Sequence, residues 1–179
     1  PTLVITALAH VPDAGRTITP DLKAPGDVLL LVGATAPEFA GSHFTLVNGT
    51  PSPAVVPAPD AQAPARYRRL HAAMNRGLVR SCHDLSEGGL AVALAEMAIA
   101  GDLGATITHL PHPHPTTAWF AESTGRLLVE VAAADVDAFV TAMEGDAATL
   151  GTVQAAPTLV IDGVELTLAD LRQAWKGGR

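Results

Sequence analysis

The run Cys82-His83-Asp84-Leu85-Ser86-Glu87-Gly88-Gly89-Leu90 places a thiol, an imidazole, two carboxylates, a hydroxyl and two glycines side by side. Leu78–His83 reads as a brief strand and Ser86–Ala100 as a helix stopped by Gly101. A strand therefore delivers Asp84 to the mouth of a helix. Ser86 can cap that helix, or Asp84 and Glu87 can form a variant capping box. Gly88 and Gly89 in a first turn each cost about 1 kcal/mol relative to Ala. They call for an offsetting gain, either close approach of another backbone or of a ligand. A helix start with exposed amides accepts phosphate oxygens, and Asp84 or Glu87 could hold the accompanying magnesium. In a plainer reading the glycines only let helix and sheet pack closely, and Asp84 is a cap. The spacing does not choose between them.

Other reactive side chains have simpler readings. Cys82, His83 and Asp84 are adjacent on a strand and cannot face one another as a triad, so Cys82 is expected as a small core residue. His109, His112 and His114 occupy a Pro-rich stretch with no second ligand cluster, which reads as a solvated loop. His43, beside Gly41-Ser42, is expected to make a structural hydrogen bond. Glu96 should lie on the polar side of its Ala-rich helix or near an interdomain seam. Arg126 is expected to pair with Glu122, with contact to a neighbouring domain as the alternative.

The elements that must position these residues alternate along the chain. Thr2–Val11 is apolar and β-branched and reads as a strand ended by Pro12-Asp13. Asp27–Gly33 is a continuous apolar run, which fits a strand covered on both faces. Ala34–Pro64 is a long Pro/Gly/Ala-rich connection. Ala65–Asn75 reads as a helix ended by Gly77, Ala105–His109 as a strand and Gly125–Ala132 as another. Asp135–Met143 reads as a helix with Asp135 at its first amides. Gly151–Ala155 and Thr158–Ile161 read as strands, and Thr167–Trp175 as an amphipathic helix with Leu168, Leu171 and Trp175 on one face. Alternating strands and helices indicate a layered α/β domain.

The 179 residues suit one domain, 48% apolar and 16% charged, which describes a folding chain. Aromatic residues are 4%, so Ala, Val, Leu and Ile must fill the core. The formal charge is −7 and the eleven Lys and Arg are scattered, which argues against a nucleic-acid partner. One cysteine excludes an intrachain disulfide framework and fits a reducing compartment. No apolar run approaches the roughly 20 residues of a membrane span, and no signal-peptide pattern opens the chain. The abrupt start on Pro1, without Met, suggests a piece of a longer chain.

His83-Asp84-Leu85-Ser86-Glu87-Gly88-Gly89-Leu90-Ala91 resembles a signature of the phosphoribosylformylglycinamidine synthase family, within the aminoimidazole ribonucleotide synthetase superfamily. Four further stretches agree in order. Gly26–Gly33 is similar to the family's opening strand, and Phe39–Phe44 to its Leu-Gly-Gly-Ser segment, with Phe39 and Ala40 as departures. Gly101-Asp102-Leu103-Gly104-Ala105 resembles Gly-Asn-Leu-Gly-Ala, and Glu122–Arg126 resembles Glu-Ser-x-x-Arg. The likeness runs from about Pro1 to Trp175.

The resemblance implies a fold, an α/β (α+β) three-layer sandwich that is partly ferredoxin-like, with residues 1–179 forming one C-terminal domain of the enzyme's second half. It implies a cytoplasmic ligase of purine biosynthesis that converts formylglycinamide ribonucleotide, ATP and glutamine-derived ammonia to the amidine, ADP and phosphate. ATP activates the amide oxygen as a leaving group, which ammonia displaces. The implied partners are the enzyme's remaining domains, a glutaminase subunit and a small accessory subunit, with neither nucleic acid nor membrane. By the same likeness, Asp84 would lie near an auxiliary ATP/ADP and Mg2+ site, with Ser86, Glu87, Gly88 and Gly89 toward the nucleotide. The first half's Gly-Arg-Asp-Gly phosphate loop is replaced here by Ala40-Gly41-Ser42-His43, without the arginine. No catalytic residue is assigned, and the isolated chain is expected to be inactive. The competing readings are a non-catalytic packing module and a related enzyme such as aminoimidazole ribonucleotide synthetase.

Overall fold

The computed structural model describes residues 4–49 and 55–177. Pro1, Thr2 and Leu3 at the head of the expected first strand, and 50–54 in the long connection, lie outside the described residues. The elements run β1 (Val28–Val32), α1 (His43–Asn48), α2 (Ala63–Asn75), β2 (Ser81–Asp84), α3 (Gly89–Gly101), β3 (Gly104–Ile107), α4 (Pro115–Phe120), β4 (Leu127–Val131), α5 (Val136–Met143), β5 (Ala147–Gln154), β6 (Thr158–Ile161), β7 (Val164–Thr167) and α6 (Leu168–Gly177). Among the described residues the strands form one sheet of order β2-β4-β1-β5-β3-β6-β7. All neighbours are antiparallel except β3 and β6.

Side chains alternate across β1, and that alternation builds two cores. Leu29 and Leu31 face α3, α4 and α6, where Leu90, Leu94, Met97, Trp119 and Leu168 pack. Leu30 and Val32 face α2 and α5, where Leu70, Ala73, Phe139 and Met143 pack. The result is the three-layer α/β/α sandwich expected from the sequence. The continuous apolar run of β1 is explained by helices on both faces. Its pairing with β5 shifts register between Leu29 and Leu30, leaving Leu150 as the extra residue of a bulge.

Two buried charged groups are tied into this frame. Glu130, in the middle of β4, is fully buried and faces the segment before β1. Its carboxylate accepts from the Lys23 amide at 2.9 Å, the Ala24 amide at 3.0 Å and the Ser81 hydroxyl at 2.7 Å. Burial pushes its pKa up, with the Asp27 charge adding to the rise against those hydrogen bonds. Arg66 on α2 is also buried, and meets Asp60 at 2.5 Å and Asp146 at 3.5 Å. Burial alone would lower its pKa, but the two carboxylates raise it.

Several expectations need correction. The described part of the expected first strand, Val4–Val11, has no regular structure, and Val4, Ile5 and Leu8 are exposed because no strand lies beside them. Three short elements were not anticipated, the first being α1, which lies inside the expected long connection. α4 follows the Pro-broken loop, and β7 is an edge strand exposed at every residue. Asp135 precedes α5 but makes no side-chain cap. Trp175 is not packed with Leu168, being 68% exposed while Leu168 is buried.

Candidate functional site

β2 ends at Asp84 and the chain turns through Leu85–Gly88 into α3, so strand and helix hold the Asp84–Gly89 turn between them. Leu85 plugs the turn into the core, and its amide donates to the Arg126 carbonyl at 3.1 Å. The Gly89 amide closes the turn on the Ser86 carbonyl at 3.1 Å. The helix cap is Gly88, at φ +80°, and no side chain of the turn caps α3. Neither the Ser86 cap nor the Asp84–Glu87 box forms.

Gly88 and Gly89 are therefore not ordinary helical residues. Both have positive φ, where glycine carries no steric cost. A Cβ on Gly89 would also come within 2.8 Å of the Trp119 carbonyl oxygen and 2.5 Å of that of Ala121. Of the two gains left open by the sequence, the structure shows the approach of another backbone.

The Gly88 amide donates to Glu122 Oε1 at 2.8 Å, and the same oxygen accepts from the His43 amide at 2.9 Å. One carboxylate thus serves the starts of α3 and α1 together. The rest of its segment is tied as densely. Ser123 Oγ exchanges hydrogen bonds with the Ala36 backbone, and Thr124 Oγ1 donates to the Ala58 carbonyl at 2.6 Å. Arg126 is buried and donates to the Ser123 carbonyl, the Ala121 carbonyl and Thr35 Oγ1. The expected Arg126–Glu122 pair is not formed, because the guanidinium is satisfied by these oxygens instead. Burial lowers the Arg126 pKa to about 10, against the charges of Glu38 and Glu122.

The remaining site side chains point outward. Asp84 and Glu87 are 73% and 75% exposed, and line a cavity of about 320 Å³ with Ser86, Tyr67 and Glu122. Asp84 also borders a second cavity of about 630 Å³ under residues 9–18, a segment that Arg16 pins to the Asn75 carbonyl at 2.6 Å. His83 sits between Asp84, at 3.3 Å, and Glu96 on α3, at 2.9 Å. His43 Nε2 lies 3.8 Å from Glu87. Cys82 packs on the opposite face of the sheet, toward α2, and burial with the nearby Asp84 charge pushes its thiol to about 12. It is a half-buried thiol at the edge of that core, bordering the larger cavity. His112 accepts from the His114 amide within an exposed loop.

No group of three or more His, Cys, Asp or Glu side chains is arranged to hold a metal among the described residues. Asp84 and Glu87 fit a different kind of site. Magnesium with phosphate needs one or two carboxylates, water and phosphate oxygens. An open carboxylate such as Asp84, whose one side-chain partner among the described residues is His83, suits that share of the shell. Sequence reasoning missed Glu122 as the cap, since its partners are 79 and 34 residues away.

The family model described as AIR synthase related protein, C-terminal domain, matches residues 24–163. Phosphoribosylformylglycinamidine synthase subunit PurL of Mycobacteroides abscessus is 36% identical over 189 aligned positions, which take in 99% of this chain and 24% of that protein. The chain thus spans about a quarter of that relative's length. Thermotoga maritima PurL complexed with FGAR superposes with a TM-score of 0.73 at 18% identity, over 88% of this chain and 30% of that one. E. coli HypE, a hydrogenase maturation protein, superposes at 0.60 with 20% identity, over 84% and 51%. Both structural likenesses concern the fold. With the three-layer sandwich, the Asp84–Gly89 turn and a family match over most of its length, the chain belongs to the AIR synthase related protein C-terminal domain family.

Proposed function

We propose that this chain is the second-half C-terminal domain of a cytoplasmic phosphoribosylformylglycinamidine synthase. The whole enzyme would be an ATP-dependent carbon–nitrogen ligase acting on formylglycinamide ribonucleotide with glutamine-derived ammonia. The observation that carries this reading is the 36% identity to a PurL subunit across 99% of the chain. Thermotoga maritima PurL has been solved complexed with ATP and with ADP, and within a PurLQS assembly. Those findings make a nucleotide and two partner subunits reasonable for this chain too, the latter being a glutaminase and a small accessory protein.

Within that reading, Asp84 would contribute one carboxylate to a magnesium ion, with Ser86, Glu87, Gly88 and Gly89 forming the turn beside the nucleotide phosphates. Bound nucleotide and metal would supply charge neutralisation between domains. This chain's part is to hold the turn rigidly and present Asp84 to solvent. The reacting groups would lie elsewhere in the enzyme, so the isolated chain should turn over no substrate.

A second reading, a packing module without its own nucleotide, is favoured by one observation. The Gly88 amide is already occupied by Glu122. The full-length protein carrying Asp84→Asn separates the two. Loss of a charged ligand should weaken ADP–magnesium binding about tenfold or more. Unchanged nucleotide and metal content would leave the packing reading. Failure of the unaltered full-length protein to form ADP in response to formylglycinamide ribonucleotide and ammonia would refute the ligase assignment itself.

A further inference from the structure

Glu122 joins two loops whose other contact is between exposed side chains, His43 Nε2 lying 3.8 Å from Glu87. Its single Oε1 accepts from His43 N and Gly88 N at 2.9 and 2.8 Å. The first amide opens α1, in the long connection after β1. The second caps α3, beside Asp84 and Glu87. No side chain within either helix's own turn serves the Gly88 amide. The backbone around Glu122 is fixed independently. Its amide donates to the Glu38 carbonyl at 3.2 Å, Ser123 bonds Ala36, and Ala121 lies against Gly89. A rigidly mounted carboxylate between two turns transmits the position of one to the other.

We propose that Glu122 is a positioning residue that locks the Gly41–His43 turn to the Asp84–Gly89 turn, and so steadies the second of these, which with Glu122 itself lines the cavity of about 320 Å³. The lock works through the reach of the side chain and one acceptor oxygen. It needs no Glu122–Arg126 ion pair, since Arg126 donates to carbonyls and to Thr35 instead. The consequence for ligands rests on the nucleotide reading above. The lock itself does not.

A lock set by the reach of the side chain and one set by its charge predict opposite orders for two conservative changes. Glu122→Gln keeps the length and an acceptor oxygen but loses the charge. Glu122→Asp keeps the charge but is one methylene short. Amide hydrogen exchange, followed residue by residue in the 179-residue chain, reads the lock directly. Glu122→Ala and Glu122→Asp should each speed exchange at both His43 and Gly88 by about tenfold or more. Glu122→Gln should stay within about threefold of the parent, and the core amides of α3 should keep their protection in all three. Exchange that rises at only one of the two amides, or a Gln variant as open as the Asp variant, would overturn the proposal. Addition of ADP and magnesium to the full-length protein then separates the failures. If the unaltered protein binds neither, the nucleotide reading fails while the exchange result still decides the lock. If it binds, Glu122→Ala should weaken binding more than Glu122→Gln does.

Discussion

Glu130 is completely buried yet surrounded by three donors, the Lys23 and Ala24 amides and the Ser81 hydroxyl. The donors favour the carboxylate, whereas burial and the Asp27 charge favour the acid, and the balance leaves its pKa raised. The sign of the linkage follows. The folded chain holds this proton more tightly than the unfolded one, so the stability it contributes is full below the ordinary carboxylate range. That contribution is lost as pH rises through the raised value. Glu130→Gln should remove this part of the pH dependence. It keeps an oxygen for the two amides and turns a donor toward Ser81, so stability near pH 7 should change by less than about 1 kcal/mol. Glu130→Ala leaves three donors unanswered, the Ser81 hydroxyl among them buried, and should cost about 3 kcal/mol. Denaturant titrations at several pH values check both. A Gln variant with the parent's pH slope would show that another group is responsible.

At the scale of elements, the Asp84–Gly89 turn shows how a sequence cost becomes a requirement. Read as helix interior, Gly88 and Gly89 are two losses. In the structure they have φ of +80° and +64°, and an alanine there is strained. The two sites differ in what a Cβ would meet. At Gly88 it meets the Val92 side chain, which is 39% exposed and has room to leave its preferred rotamer at a cost, whereas at Gly89 it meets the Trp119 and Ala121 backbone carbonyls, which cannot turn away. Gly89→Ala should therefore cost at least about 2 kcal/mol and exceed Gly88→Ala, as thermal or urea unfolding would measure. Equal losses would mean that backbone conformation alone sets the requirement. The sequence made the turn visible because strand, acid and glycine pair lie within nine residues. β1 was visible because a strand buried on both faces is apolar throughout. β7 was not, since Val164–Thr167 is exposed at every position and leaves no burial pattern. α4 has only six residues behind a Pro-rich loop. Val4–Val11 misled in the other direction, because β propensity reports a fit to a sheet and not the presence of one. Glu122 could not be found by spacing, as its role appears only when three distant loops converge.

For the whole molecule, the decisive feature is that one strand feeds both cores. Leu31 packs with Trp119, Leu94 and Met97, while Leu30 packs with Leu70, Phe139 and Met143 on the other side of the sheet. Backbone pairing of β1 with both β4 and β5 joins the two layers at the centre. Neither face has a sheet of its own to fall back on, so the layers should unfold together in one transition. Trp119, 6% exposed, reports on its own layer alone once Trp175 is replaced by Phe. In that background Leu31→Ala and Leu30→Ala should each cost about 3 kcal/mol. The informative variant is Leu30→Ala, whose cavity lies on the face away from Trp119. Its fluorescence midpoint in urea should shift by nearly as much as that of Leu31→Ala, and coincide with the midpoint from far-ultraviolet circular dichroism. A Leu30→Ala chain that keeps the parent's Trp119 midpoint while its circular dichroism splits into two steps would show that the layers are separate folding units. The strand order makes that outcome costly, because melting the α2/α5 layer alone would strip cover from the backbone of β1 and leave Leu30, Val32, Val129 and Val131 in water.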